Sequence, residues 1–576
     1  MILTKLKEYA DTRMQDVLPP AMYGQTKVGW LIDLTADGSF EGCISWKGDT
    51  KETKRGKPLI APHVGRTVGV KPKLLADTGE YVLGIGRPDS KPERVAECHQ
   101  QFRALVEQCA AETQEPRLQA IAQFLQSWNP QRDRSQLPRD FDPSEVTTFR
   151  VNGVIPADAE AELDGVEQFW ANYTTGNEVD SGKETSPVMT CLVTGELLPV
   201  EKRLPFLVKG LWNGQPSGTA LVSANAPPFT SYGLQNSLTS PISRDAAERF
   251  TKALNHLIAG SNSRINVGAT TYVAWTREQT EFNAFSYLAS PDPQAVKNLL
   301  ESPFTGQQAH GLQVNDFYVL ALSASAARAV VRDWIETTVF DVQSNLKQWF
   351  QAQKIVDAYG EAARPLSVYA LAASVYRDAS KEMLPAVPTI LVNIALSGGR
   401  LPDDMLARLV RRNRVERDVT YPRAALIKLV LTTQNKDAMT EMQILNPTPQ
   451  LESADRPAYH CGRLLAQLES IQKAAIGKVN ASLTDRYYGA ASSAPANAFA
   501  PLMRGARAHL SKLRKTAPGT CNALEEKLEE ITAHLQDFPK TLTMRNQGLF
   551  ALGYYHQRAA NRAAAKANRA NPSTQG

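Results

Sequence analysis

Local signatures of common catalytic chemistry are missing from this chain. Its 576 residues contain no HExxH, no Walker-type phosphate loop, no GxSxG elbow and no GxGxxG opening a helix. Gly84-Ile85-Gly86 comes nearest to a dinucleotide fingerprint, but Asp89 stands where the third glycine belongs, so it reads as a strand-ending turn. Ser217, in Gln215-Pro216-Ser217-Gly218, has the wrong glycine spacing for a nucleophile and no histidine base nearby in sequence, which leaves a hydroxyl in a turn. Cysteine is scarce. Cys43, Cys98, Cys109, Cys191, Cys461 and Cys521 form no CxxC pair, which argues against a zinc ribbon or a disulfide framework and fits a reduced cytosol. Cys98-His99 with Cys109 could suggest a metal, but two of the three lie on an otherwise apolar helical stripe and read as core rather than ligands. The expectation is a protein without metal, cofactor or catalytic centre.

Long apolar runs are absent too. None approaches the ~18 residues of a membrane span, and the opening MILTKLKEYADTRMQD is broken by charge too early for a signal peptide. A soluble, cytoplasmic protein with no membrane partner is expected. Net charge is modest, 64 Lys plus Arg against 59 Asp plus Glu, so any nucleic-acid reading rests on where the cations lie.

The length favours several domains, and the patterning gives an α+β multidomain chain. Residues 1–130 read as β-rich, through Val28 to Leu34, Gly42 to Trp46 and Tyr81 to Ile85, followed by helices between Lys91 and Ser127. A basic loop in this region carries Lys57, Arg66, Lys71 and Lys73. After a polar connector, residues 145–325 form an α+β region with strands at TTFRVNGVI, MTCLVTGELLPV, NVGATTYVAWT and DFYVLALSAS, and a helix after Ser243. Helical periodicity dominates from Ala326, giving a helical region at 326–443. Beyond a proline-marked linker, residues 456–570 hold four amphipathic helices, built on Leu464 to Ala475, Phe499 to Leu513, Leu524 to Phe538 and a last one from Asn546. A four-helix bundle with a basic tail is expected.

One further absence draws attention. From Lys202 to Arg244 there is no Asp or Glu, while Lys202, Arg203, Lys209 and Arg244 are basic. The stretch is rich in amides, hydroxyls and glycine. Asn213, Gln215, Asn225, Gln235 and Asn236 can reach base edges, and the cations can hold phosphates. Ser217 and Ser231 add hydroxyls, and Tyr232 an aromatic ring. Gly210, Gly214 and Gly218 let the main chain approach a sugar-phosphate backbone, and Pro227, Pro228 and Phe229 offer a stiff apolar edge to a base step. A surface loop rich in glycine because it turns often is the competing reading, and the residues alone leave the two level. A second basic feature is Met405 to Arg423, with Arg408, Arg411, Arg412, Arg414, Arg417 and Arg423 against Glu416 and Asp418. Taken alone it reads as a solvated helix face.

The segments GKPLIAPHVGRTVGVKPKLLADTGEYVLGIG, FRVNG followed by FWANY, CLVTGELLPV, KGLWNGQPSGTALVSANAPPFTSYGLQN, NASLTDRYYGAASSAPANAFAPL and QGLFALGYYHQ, in that order, resemble the signature blocks of the large subunit of type I-C CRISPR interference (Cascade) complexes. The resemblance implies a non-catalytic subunit beside the crRNA 5′ handle. Such a subunit recognises a T-rich PAM in target double-stranded DNA, helps open the duplex and recruits the helicase-nuclease, while guide pairing reads the target. Its implied partners are the crRNA, the target duplex, the backbone and handle-binding subunits, the helicase-nuclease and a small subunit, which the C-terminal bundle also resembles. In such systems the small subunit can be made from an internal start of the same gene, and Met439 or Met442 is a plausible start. On this reading the 202–244 loop, with Lys71 and Lys73, reads and wedges the PAM duplex, and Arg408, Arg411, Arg412 and Arg414 track a strand of the R-loop. The alternative is a nuclease or crRNA-processing subunit whose active site has no local motif.

Overall fold

The computed structural model describes residues 2–14, 19–20, 22–50, 53–64, 69–176, 187–301, 314–433, 457–477 and 480–570. Arg66, Met439 and Met442 lie outside them. The chain falls into two units, Met1–Lys209 with Ser217–His256, and Gly210–Pro216 with Leu257–Gly576. It is a mixed α+β protein, with its sheets in the N-terminal half and helices through the C-terminal half.

In the first unit α1 (Ile2–Arg13) precedes β1 (Tyr23–Leu34), the strand on which the sheet is built. The first half of β1 pairs antiparallel with β3 (Lys57–Pro62) and its second half with β2 (Phe40–Ser45). Its other edge runs parallel to β5 (Val146–Val151), which in turn meets β4 (Asp77–Thr78). The first half of β1 leaves Gln25 and Lys27 exposed, and from Val28 to Ile32 the strand becomes the unbroken buried run expected of one covered on both faces. Trp30, Leu31 and Ile32 are fully buried. Helices α3 (Pro92–Thr113) and α4 (Pro116–Ser127) bring Phe102, Val106, Cys109, Ile121 and Phe124 into the same core, and Cys98 lies there too. α5 (Asp164–Gly176) adds Val166, Phe169 and Trp170.

One expectation fails here. Tyr81–Ile85 is not a strand: β4 passes into a single helical turn, α2 (Gly79–Val82). An apolar run this short fits either state. Here the turn lets the Tyr81 carbonyl meet His99 Nδ1 at 3.0 Å and the Leu83 carbonyl accept Trp128 Nε1–H at 3.0 Å, both within the core. Burial holds the His99 pKa below its ordinary value.

A hairpin of β6 (Val188–Thr190) and β7 (Leu197–Pro199) follows, and after the polar loop comes α6 (Arg244–Ala259), whose Ala246, Phe250 and Leu254 are buried as their spacing requires. The second unit opens with a four-stranded antiparallel sheet in the order β11-β10-β9-β8. The single strand expected at NVGATTYVAWT is a hairpin, β8 (Arg264–Val267) and β9 (Thr270–Thr276), turned at Gly268 with φ of 60°. After α7 (Ala284–Ala289) and α8 (Pro293–Glu301), β10 (Asp316–Ser325) returns as expected, but β11 (Arg328–Thr338) occupies residues expected to be helical.

Tyr272, Phe317, Val319 and Ile335 join the sheet to one continuous core that runs through α9 (Val339–Gln353), α10 (Val368–Ala373), α12 (Ala386–Ser397), α13 (Asp403–Glu416) and α14 (Tyr421–Thr433), with α11 (Ala379–Glu382) a single turn between α10 and α12. The same core continues into the C-terminal helices α15 (Pro457–Ile476), α17 (Pro495–Thr516), α18 (Pro518–Ala533) and α19 (Met544–Ala570). These are the four helices anticipated from their stripes. A short fifth, α16 (Leu483–Ala491), sits between the first two, its start closed by a Ser482–Asp485 capping box.

α15 and α19 cross almost backbone to backbone. A Cβ on Gly462 would collide with the Phe550 carbonyl oxygen, and one on Gly553 with that of Tyr459. Flanking the crossing is a buried polar seam. Tyr459 Oη lies 2.8 Å from His556 Nδ1, Arg463 donates to Gln557 Oε1 at 3.0 Å and to Glu530 Oε1 at 2.7 Å, and Tyr554 Oη donates to Glu469 Oε2 at 3.0 Å. Burial depresses the His460 pKa to about 4, so this imidazole packs as a neutral ring, stacked on His534 at 4.4 Å.

Alanine at these glycines tests the crossing. Gly462→Ala and Gly553→Ala are each expected to destabilise the protein by about 3 kcal/mol, the upper end of overpacking effects. Gly505→Ala, in α17 with nothing near its Cβ position, is expected to stabilise by roughly 0.5–1 kcal/mol through helix propensity. Thermal denaturation midpoints moving in opposite directions are the expected result.

Candidate nucleic-acid interface

The acid-free segment is held at four points. Lys209 N–H donates to Asn255 Oδ1 at 2.8 Å, and Asn255 Nδ2 donates to the Leu207 carbonyl at 3.1 Å, so the entry is pinned to α6. Val208 and Thr219 exchange backbone hydrogen bonds, both 2.8 Å, closing the neck of the 210–216 excursion. Gly218, at φ of 107°, would bring a Cβ against the Leu207 side chain, which explains a glycine there. Ser237 N–H donates to the Lys202 carbonyl at 2.9 Å, tying the far end of the loop to the exit of β7. The fourth point is Cys191, whose thiol donates to Ser243 Oγ at 3.6 Å and accepts Ser243 N–H at 3.4 Å. Burial pushes this thiol's pKa up, but hydrogen bonds from Ser243 and Thr194 outweigh it and bring it to about 7.

The division between units runs through this segment. Asn213 and Gln215 belong with the second unit, where Trp212 N–H donates to Thr271 Oγ1 at 3.3 Å. Both are exposed, and Asn213 has φ of 57°, a conformation asparagine tolerates better than most residues. Lys202, Arg203, Lys209, Ser217, Asn225, Phe229, Ser231, Tyr232, Gln235 and Asn236 belong with the first unit. All are exposed except Asn236, which is half-buried with φ of 55° at the start of a 3₁₀ turn.

Within the first unit the loop rises to a tip. Pro227–Phe229 make a 3₁₀ turn with the Phe229 ring 43% exposed. Ser231 and Leu234 then pair across a two-residue turn, Tyr232-Gly233, with φ of 51° and 74°. Two successive left-handed residues in so short a hairpin describe a type I′ turn, for which Asn-Gly is the favoured pair. A tyrosine in the asparagine's place costs roughly 1–3 kcal/mol of backbone strain, and its side chain is 100% exposed. The turn therefore places an uncovered aromatic ring in solvent at the head of a loop without carboxylates.

The other sequence candidates lie elsewhere. Lys71 is exposed; Lys73 is half-buried, its Nζ 3.5 Å from His63 Nδ1 and its N–H held by Asp77 Oδ2 at 2.9 Å. The arginines of α13 separate by role. Arg408 pairs with Asp404 at 2.7 Å along the helix, and Arg412, largely buried, pairs with Glu416. Arg423 on α14 is buried against Glu416, Asn413 Oδ1 and the Asp418 carbonyl, and so holds the α13–α14 turn closed. Arg411 and Arg414 are exposed and carry no ion pair among the described residues.

Two exposed groups escaped the sequence reading of the site. Trp212 is 52% exposed inside the loop, and an aromatic in an acid-free stretch was a usable signal for it. Arg417 closes α13 in a left-handed conformation, φ of 56°, which sequence does not display. Among the described residues no group of three or more His, Cys, Asp or Glu is placed to hold a metal ion, and no helix is long and apolar enough to cross a membrane.

A family model described as CRISPR-associated protein (Cas_Csd1) matches residues 4–562, nearly the whole chain. No curated protein matches it.

The division of the arginines predicts opposite readouts. Arg423→Ala removes a buried guanidinium and leaves the buried Asn413 Oδ1 and the Asp418 carbonyl without their donor, and is expected to destabilise by about 1–3 kcal/mol. Arg411→Gln and Arg414→Gln are expected to melt as wild type. If these two hold phosphates, each lowers the slope of log affinity against log salt for a DNA ligand by about 0.7–0.9, measurable by salt titration of binding.

Proposed function

We propose, since this chain belongs to the Cas_Csd1 family of CRISPR-associated proteins, that it is the large subunit of a type I-C surveillance complex. In this role it catalyses nothing itself. It recognises the PAM in double-stranded DNA, opens the adjacent duplex so that crRNA can invade, stabilises the R-loop and provides the landing surface for the helicase-nuclease. Its other partners on this reading are the backbone and handle-binding subunits and a small subunit resembling α15–α19.

The observation that carries the reading is Tyr232. An aromatic ring presented without cover, on a strained turn, fits the task of stacking against a base pair at the point where strands separate. The backbone of the turn is already formed before DNA arrives, so ordering it costs little on contact. Around it the chemistry is suited to a duplex. Lys202, Arg203 and Lys209 supply phosphate contacts, no carboxylate between 202 and 244 repels them, and Asn225, Gln235 and Asn236 carry both donors and acceptors for base edges. On the second unit, Asn213 and Gln215 bring the same amide chemistry, and Arg411 and Arg414 track a displaced or paired strand.

Tyr232→Asn tests this directly, because asparagine relieves the strain of the type I′ turn while removing the ring. The variant complex is expected to fold at least as well as wild type yet open a PAM-containing duplex about tenfold or more slowly, as loss of one stacking contact of ~1–3 kcal/mol would give. Strand separation is followed by 2-aminopurine fluorescence beside the PAM. A target already unpaired there is expected to bind as it does to wild type. Equal opening rates on the duplex would remove the wedge from the account.

A further inference from the structure

The β6–β7 hairpin is folded with its apolar side outward. Val188 faces Pro199 and Thr190 faces Leu197 across the pair, and facing residues of an antiparallel ribbon point to the same side. Leu192, in the turn just beyond β6, adds a further aliphatic side chain. All five are exposed, Leu197 by 72%, Val188 by 58% and Leu192 by 49%. The opposite side of the ribbon is the one that packs: Cys191 and Val200 are buried, and Met189 and Leu198 are partly so. A ribbon on a monomer's surface ordinarily turns its polar residues to water, so this orientation marks a face that something covers.

Its open edge adds a second observation. The Cys191 N–H bonds to the Glu196 carbonyl and the Val200 N–H to the Pro187 carbonyl. Given the alternation of an antiparallel ladder, Val188 and Thr190 aim their N–H and C=O groups away from β7. Those groups have no partner among the described residues.

We propose that this face is the anchor for an aliphatic segment of a neighbouring protein subunit in the ribonucleoprotein. The proposal rests on the functional reading above, which places the chain in such a complex. The face carries no cation and no aromatic ring, so it lacks what would hold a nucleic acid. A second copy is disfavoured by size. Five residues fall far short of the roughly 20–30 per side that a free-standing protein interface uses, so the face suits a subunit already held nearby by the guide RNA.

The test uses the full chain with Val188→Lys and Leu197→Lys together, both at positions exposed in the folded unit. Complexes are reconstituted with crRNA and the other subunits and counted by native mass spectrometry. At least about tenfold fewer particles should contain the variant, equivalent to ~1.4 kcal/mol of lost anchoring, while the isolated variant melts and binds duplex as wild type does. Leu197→Met, which keeps the aliphatic surface, should assemble normally. Incorporation equal to wild type overturns the proposal, and so does increased incorporation, which would mean the face meets phosphate. A wild-type homodimer that the lysine pair abolishes would give the face to a second copy and equally overturn it. Should the lysine pair unfold the unit, hydrogen exchange decides: the Val188 and Thr190 amides should slow about tenfold or more in the wild-type complex relative to the free chain, and unchanged rates overturn the proposal. If the wild-type chain joins no guide-RNA complex at all, the functional reading itself falls, and the docking face falls with it.

Discussion

The second unit hangs on the crossing of α15 and α19. Two glycines, Gly462 and Gly553, let the helices approach until each Cα faces the other helix's backbone, and everything packed around that axis inherits its geometry. α15 is buried on all sides, including at His460, Arg463, Gln467 and Glu469, which have no business in a core unless each finds a partner. They find them on two neighbours: Arg463 reaches Gln557 of α19 and Glu530 of α18, Tyr554 of α19 reaches Glu469, and Gln467 donates to the Leu524 carbonyl of α18. Apolar packing alone would tolerate a range of rotations between two helices. A seam of directed hydrogen bonds does not, so the crossing fixes register as well as distance. The outer face of α19 then meets α13 and α14, and Tyr555 Oη donates to the Val356 carbonyl at 3.0 Å, which joins the C-terminal helices to the helical region before them in one core.

The first unit spends its stability differently. Its sheet and the α3–α4 pair form a conventional core, and the polar loop is pinned at its neck and its far end while its tip is left strained and bare. A strained residue survives only where its surroundings overdetermine it. Here the Ser231–Leu234 pairing supplies that determination, closing the turn that keeps Tyr232 in a left-handed conformation.

Much of this was legible in the sequence where burial is one-sided. α17 shows its stripe of Phe499, Leu502, Ala506, Leu510 and Leu513 because the rest of that helix faces water. α15 was found from Leu464, Leu468 and Ile471, yet its polar residues looked like a solvated face, since only the partner helix reveals that they are paired. β11 was missed for a specific reason: the ladder slips between Ala321 and Leu322, leaving Arg332 as an extra residue that breaks the alternation by which a strand is recognised. Tyr81–Ile85 is too short for periodicity to decide. At the candidate interface the composition of the 202–244 stretch could be read directly, and the residue types are those now seen exposed. What sequence could not supply was backbone sign at Tyr232, or which of the adjacent residues Arg411 and Arg412 faces solvent and which is drawn into an ion pair with Glu416. Both are settled by local geometry, a two-residue turn and an i,i+4 ion pair, that residue type alone does not fix.

The position of α19 has an implication for synthesis. Residues 544–570 are translated after every element they cover, yet they form half of the axis on which the second unit closes. While the ribosome works through α16 to α18, the apolar face of α15 and the surfaces of α13 and α14 wait uncovered, and a segment in that state is prone to wrong association. The first unit has no such dependence, since its sheet and flanking helices are complete once α6 has emerged. The nascent chain thus carries a unit that can close early, followed by a long one whose apolar surfaces stay open until its last helix emerges.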